Sequence, residues 1–126
     1  MGIQIKRVYD EPATSDGYRV LIDRLWPRGV ARANAGLDEW AKELAPSTEL
    51  RRWFGHDPAR FAEFRQRYVE ELSAQEEKLR ELRGRARETT LTLVYGARDT
   101  EHNDAVVLAE LLRAETLPTS AEEKDR

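Results

Sequence analysis

Polar and apolar positions alternate almost from the first residue. Residues 3–9 place Ile3, Ile5, Arg7 and Tyr9 on one face and Gln4, Lys6 and Val8 on the other, the period of two of a partly covered strand. Residues 10–17 hold Pro12 and the Asp16-Gly17 pair but no room for an ordinary crossover helix, so an antiparallel neighbour is expected for this strand. Residues 18–25 set Tyr18, Val20 and Ile22 against Leu21 and Leu25. With both sides apolar, they read as an interior strand.

After that the period turns helical. Leu37, Trp40, Ala41 and Leu44 form a short stripe that predicts a helix ending at Ala45-Pro46. Ser47 is placed to cap a second short helix carrying Leu50, Trp53 and Phe54, with Gly55 closing it. Asp57 as cap and Pro58 as first residue open a long helix in which Phe61, Phe64, Tyr68, Leu72, Leu79 and Leu82 keep a three-to-four spacing. The β-branched run at residues 90–97 predicts a third strand, and the preceding helix implies a right-handed crossover that lays it parallel beside the second. Asn103 or Asp104 then starts a final helix with Ala105, Val106, Leu108, Leu111 and Leu112 as its buried stripe.

The expected fold is therefore a single small α/β domain over residues 1–115, with a short, mainly parallel or mixed sheet packed with helices and a long helix before the last strand. Residues 116–126 are charged and nearly without apolar side chains, and are expected to form a disordered acidic tail.

Composition narrows the chemistry. The chain has no cysteine, which removes disulfides, thiolate catalysis and cysteine-based metal sites. Two histidines far apart make no zinc signature, and no metal or cofactor is expected. No long apolar block follows Met1, so no membrane is expected as a partner and a cytoplasmic protein is. Residues 1–98 carry 18 Lys+Arg against 16 Asp+Glu, and residues 99–126 carry 3 against 8. That imbalance is too slight for a duplex-binding face, which makes nucleic acid an unfavoured partner.

Two segments carry the candidate site. In Asp23-Arg24-Leu25-Trp26-Pro27-Arg28-Gly29, Pro27 holds Trp26 extended and Gly29 permits a tight exit, aiming Arg28 at one place. Asp23 and Arg24 are expected on opposite faces, each needing a partner, with Asp23 reading first as half of a buried ion pair to a distant arginine. The second segment, Tyr95 to Asn103, supplies Tyr95, Arg98, Asp99, His102 and Asn103 ahead of a helix start. Arg24, Arg28, Arg98, Tyr95, Trp26 and Asn103 are the candidate ligand contacts for a small phosphate or carboxylate, because guanidinium forks and helix N-termini favour anions. If there is catalysis, His102 is the natural acid or base and Asp99 or Asp23 its orienting carboxylate. Plainer readings stand beside these: Asp99 and Asn103 as loop and cap residues, the tryptophans as packing, and His56 as a bridge between two helices.

Arg7-Val8-Tyr9-Asp10, residues 18–29, the run from Leu44 to Arg51, Trp53-Phe54-Gly55-His56-Asp57-Pro58 and Arg98-Asp99-Thr100-Glu101-His102-Asn103, in that order, resemble the bacterial YeaO-like family within domain of unknown function 488. The resemblance spans residues 3–112. It implies a small cytoplasmic α/β domain and no particular reaction. A more distant branch looks to carry a cysteine-histidine-arginine triplet near His102-Asn103, a thiol mechanism that a chain without cysteine cannot follow. Besides an anion-binding domain, enzymatic or not, two other classes stay open: a nucleic-acid-binding or regulatory module, and a protein-interaction or homo-oligomeric domain using the long helix.

Overall fold

The last strand in the chain takes an interior place in the sheet. In the computed structural model, which describes residues 2–116, β1 (Gly2–Arg7), β2 (Tyr18–Leu21), β3 (Glu39–Trp40) and β4 (Thr90–Tyr95) form one parallel sheet in the order β1-β4-β2-β3. The sequence explains why β4 goes inside. Leu91, Leu93, Val94 and Tyr95 are all buried, and a strand apolar on both faces belongs where both are covered.

The antiparallel neighbour expected for β1 is not found: β1 pairs with β4, and β2 lies on β4's other side. The link over residues 8–17 therefore crosses β4, a span of two strand spacings or roughly 10 Å, which it covers with only a 3-10 turn at Thr14–Asp16. Gly17 is needed where the link meets β2. Its φ is 64°, and a Cβ there would stand 2.2 Å from the Thr90 carbonyl oxygen.

The two faces of the sheet differ. Val20, Ile22, Leu91, Leu93 and Tyr95 join the main core beneath the helices. On the other face Leu21, Val94 and Val8 form a smaller cluster, extended by Trp26, Leu37 and Trp40. Beside it runs a polar row: Gln4 donates to the Thr92 hydroxyl, and Thr92 donates to the Asp16 carbonyl. Asp16, 2% exposed, accepts from Lys6 Nζ, Arg19 Nη1 and the Ala13 N–H. Burial alone would raise this carboxyl, but the Ala13 N–H and the Lys6 and Arg19 hydrogen bonds outweigh it and hold it below the usual carboxylate value. Arg19, itself buried, spends its remaining donors on the Ala35 and Gly36 carbonyls.

The helix predicted around residues 37–44 is corrected. Glu39–Trp40 is β3, followed by a 3-10 turn at Lys42–Leu44. The open edge of β2 recruits these residues, with the Asp38 N–H donating to the Arg19 carbonyl and the Ala41 N–H to the Leu21 carbonyl. A short α1 (Arg32–Ala35) precedes them. In α2 (Thr48–Phe54), Ser47 Oγ accepts from the Leu50 N–H and Gly55 closes the helix in the left-handed conformation. Asp57 caps a 3-10 turn at Pro58–Arg60 through the Ala59 N–H. The long helical stretch before the last strand then runs as α3 (Phe61–Leu72) and α4 (Glu76–Glu88), joined by a 3-10 turn at Ser73–Gln75. Phe64, Tyr68, Leu72, Leu79 and Leu82 are all buried in the main core.

Finally α5 (Asp104–Thr116) buries Ala105, Val107, Leu108, Ala109 and Leu112. The expected tail falls, from residue 117, outside the described residues. No helix among the described residues is long and apolar enough to cross a membrane.

Candidate functional site at the carboxyl ends of the strands

Because all four strands run the same way, their carboxyl ends share one edge of the sheet, the place where open α/β sheets take ligands. A cavity of about 370 Å³ lies there. Segments leaving three of the strands line it: Tyr9 beyond β1, Asp23 to Arg28 beyond β2, and Gly96 and Ala97 beyond β4. Pro46 with Arg51, Arg52 and Phe54 of α2, His56, Phe64 of α3, and Asn103 with Asp104 at the start of α5 complete the lining.

The segment after β2 is held open by specific bonds. The Trp40 indole N–H donates to the Asp23 carbonyl at 2.7 Å and the Trp26 indole N–H to the Val30 carbonyl at 2.7 Å. The two indoles meet edge to face with centroids 5.3 Å apart, and the Arg32 guanidinium covers Trp26. Pro27 is buried, Gly29 turns the chain with φ 79°, and the Tyr9 hydroxyl donates to the Arg28 carbonyl. These contacts leave the Arg28 side chain exposed at the cavity.

Among the described residues Asp23 does not form the salt bridge with a distant arginine expected of it. One oxygen accepts the Gly96 N–H at 2.8 Å, and the carboxyl is hydrogen-bonded to that of Asp104. Two acids this close cannot both ionise easily. Burial pushes Asp104 up well above the ordinary carboxylate value, and the Asp23 charge pushes it further. Burial also raises Asp23, against the opposing pull of the Asp104 hydrogen bond, the Gly96 N–H and the charges of Arg51 and His56. Ionisation of the pair is therefore opposed, most strongly at Asp104.

Of the residues singled out from the sequence, Arg24, Trp26, Arg28 and Asn103 line the cavity. Arg24 is partly engaged, donating to the Pro46 carbonyl at 3.3 Å. Asn103 caps α5, accepting the Val106 N–H and donating to the Asp99 carbonyl. Tyr95 is buried in the main core, and burial raises its phenol above its usual value. Asp99, His102 and Arg98 lie in the loop before α5, outside the cavity lining. There His102 Nδ1 is 2.9 Å from Asp99 Oδ2, and the imidazole sits edge-on to Phe61. Asp99 accepts the Glu101 and His102 N–H groups, which with the imidazole hold it below the usual carboxylate value.

Sequence reasoning misses Asp104, Arg51, Arg52 and His56 as site residues. In the sequence Asp104 reads only as a helix start, and nothing local signals its pairing with Asp23. Among the described residues Arg28, Arg51 and Arg52 enter no salt bridge, although Arg51 feels the Asp23 charge. No group of three or more acidic or histidine side chains among the described residues could hold a metal ion.

Fold and cavity define a parallel-sheet α/β domain with a small, mixed-charge pocket at its strand ends. The chain belongs to the DUF488 family: the model described as the inactive DUF488-N3 subclade matches residues 2–126. It is 49% identical over 114 residues to the uncharacterized protein YeaO of Escherichia coli, covering 90% of this chain and 99% of that protein. It is 44% identical over 112 residues to the uncharacterized protein Rv3073c of Mycobacterium tuberculosis, covering 87% of this chain and 92% of that protein. No solved structure matches the chain.

Proposed function

We propose that this protein binds a small anionic metabolite, bearing a phosphate or a carboxylate, in the cavity at the strand carboxyl ends. The observation that carries this reading is the gathering of the Arg28, Arg51 and Arg52 side chains around one cavity of ligand size. Guanidinium forks outside any salt bridge among the described residues suit the oxygens of such a group, and Arg51 is half-buried, where screening by water is weaker than at the surface. The wall between them is apolar, with Phe54, Phe64, Pro27 and Pro46 buried, which fits a compact ligand body.

The reading is one of binding without turnover. The description of the subclade as inactive supports it. His102 and Asp99 have no part in it, because they lie outside the cavity lining.

Titration of inorganic phosphate and propyl phosphate by calorimetry, at low and moderate salt, tests the proposal. Wild type is expected to bind, and Arg51→Ala to weaken binding about tenfold or more, the loss expected for one charge-assisted contact. Binding that Arg51→Ala and Arg28→Ala both leave unchanged would remove the cavity as the site.

A further inference from the structure

Arginines are only half of the charge in this cavity. The same lining holds two carboxyl groups hydrogen-bonded to each other, Asp23 from the end of β2 and Asp104 from the start of α5. Purely anionic ligands gain nothing from that pair and are repelled by its charge. Its position is also costly to the fold, because it places two acids where burial opposes their ionisation. Each acid also accepts backbone N–H groups, Asp23 from Gly96 and Asp104 from Ala105 and from itself at the start of α5, but those bonds do not require the two carboxyls to face each other across the cavity.

We infer that the ligand is dipolar, an anion that also carries a protonated nitrogen, and that the Asp23–Asp104 pair is the receptor for that nitrogen. This rests on the anion-binding reading and specifies the ligand class. An ammonium or amidinium group presents several N–H donors and a positive charge. Arriving at the pair, it can donate to both carboxyls at once, and any proton they held passes to solvent. Guanidiniums take the anionic group, and the apolar wall of Phe54, Phe64 and Pro27 covers the short carbon body between the charged ends. A cavity of about 370 Å³ limits that body to a small molecule. A metal ion is the less suited occupant, since no third acidic or histidine ligand joins the pair among the described residues.

The test compares propyl phosphate with 3-aminopropyl phosphate, and ethyl phosphate with 2-aminoethyl phosphate, by calorimetry in metal-free buffer. In wild type at least one amine is expected to bind tenfold or more tightly than its amine-free partner. Asp23→Asn alone leaves Asp104 free to ionise, so the decisive variant is Asp23→Asn/Asp104→Asn. There the gain should fall below twofold while propyl phosphate still binds. A nuclear magnetic resonance readout on wild type keeps the test independent of that variant's folding: the Gly96 amide, bonded to Asp23, should shift further with the amine than with the alkyl phosphate. Equal binding of both pairs overturns the inference while leaving the anion reading intact. So does a gain that survives the double substitution, an unmoved Gly96 amide, or a gain that appears only with added magnesium. Failure of every phosphate to bind removes the anion reading and this inference together.

Discussion

Asp23 and Asp104, 81 positions apart in the chain, meet as a hydrogen-bonded carboxyl pair where the end of β2 faces the start of α5. Their contact ties the sheet edge to the last helix and sets two acids whose ionisation burial opposes inside the cavity.

That opposition makes stability depend on pH. Both acids are raised in the folded protein above the ordinary aspartate value of 3.8, Asp104 the more so, and the folded state therefore binds more protons than the unfolded one above that value. The pair's stabilisation is fully present below the ordinary value and is lost as pH rises through the raised one. Asp104→Asn, which keeps a neutral hydrogen-bonding group, should gain melting temperature relative to wild type as pH is raised from about 4 toward 8. Thermal melts of the two proteins across that range check it; parallel curves would contradict the paired-acid account.

Asp16 behaves in the opposite sense. Its carboxyl is held below the usual value, so its contribution is present above that value and disappears as pH falls through the folded one. Asp16→Ala also strands Arg19, which is 3% exposed, without its charged partner. A loss of roughly 3–5 kcal/mol is expected in urea unfolding at neutral pH. The difference from wild type should shrink in acid.

His102 provides a contrast. It pairs with Asp99 and touches Phe61 but does not line the cavity. His102→Ala should therefore leave the affinity for propyl phosphate within about twofold, well inside the tenfold step that corresponds to 1.4 kcal/mol. Calorimetry with that ligand is sufficient.

Elements with local signals were legible in the sequence. Ser47, Gly55, Asp57 and Asn103 act at helix ends because their chemistry is that of the adjacent turn. Tyr18 to Leu21 and Thr90 to Tyr95 carry apolar residues on both faces and lie inside the sheet. Two features were not local. Leu37, Trp40, Ala41 and Leu44 have helical spacing, yet β2's open edge draws Glu39–Trp40 into the sheet and sends Trp40 against Trp26. Similarly, a short link without a helix implied an antiparallel pair, but β4 enters between β1 and β2 from the far end of the chain.

The candidate site divides in the same way. Arg28 and the Trp26-Pro27 turn could be read from proline and glycine constraints within a few residues. Asp104 and Arg51 could not, since only the packing of α2 and α5 across the strand ends brings them to Asp23.

Amide chemical-shift mapping of the labelled protein titrated with propyl phosphate tests the central claim most directly. The account predicts shifts concentrated at residues 23–28, 51–56, 96–97 and 103–104, and their loss in Arg51→Ala. Shifts confined to residues 98–102, or spread over the arginines of α4, would contradict it.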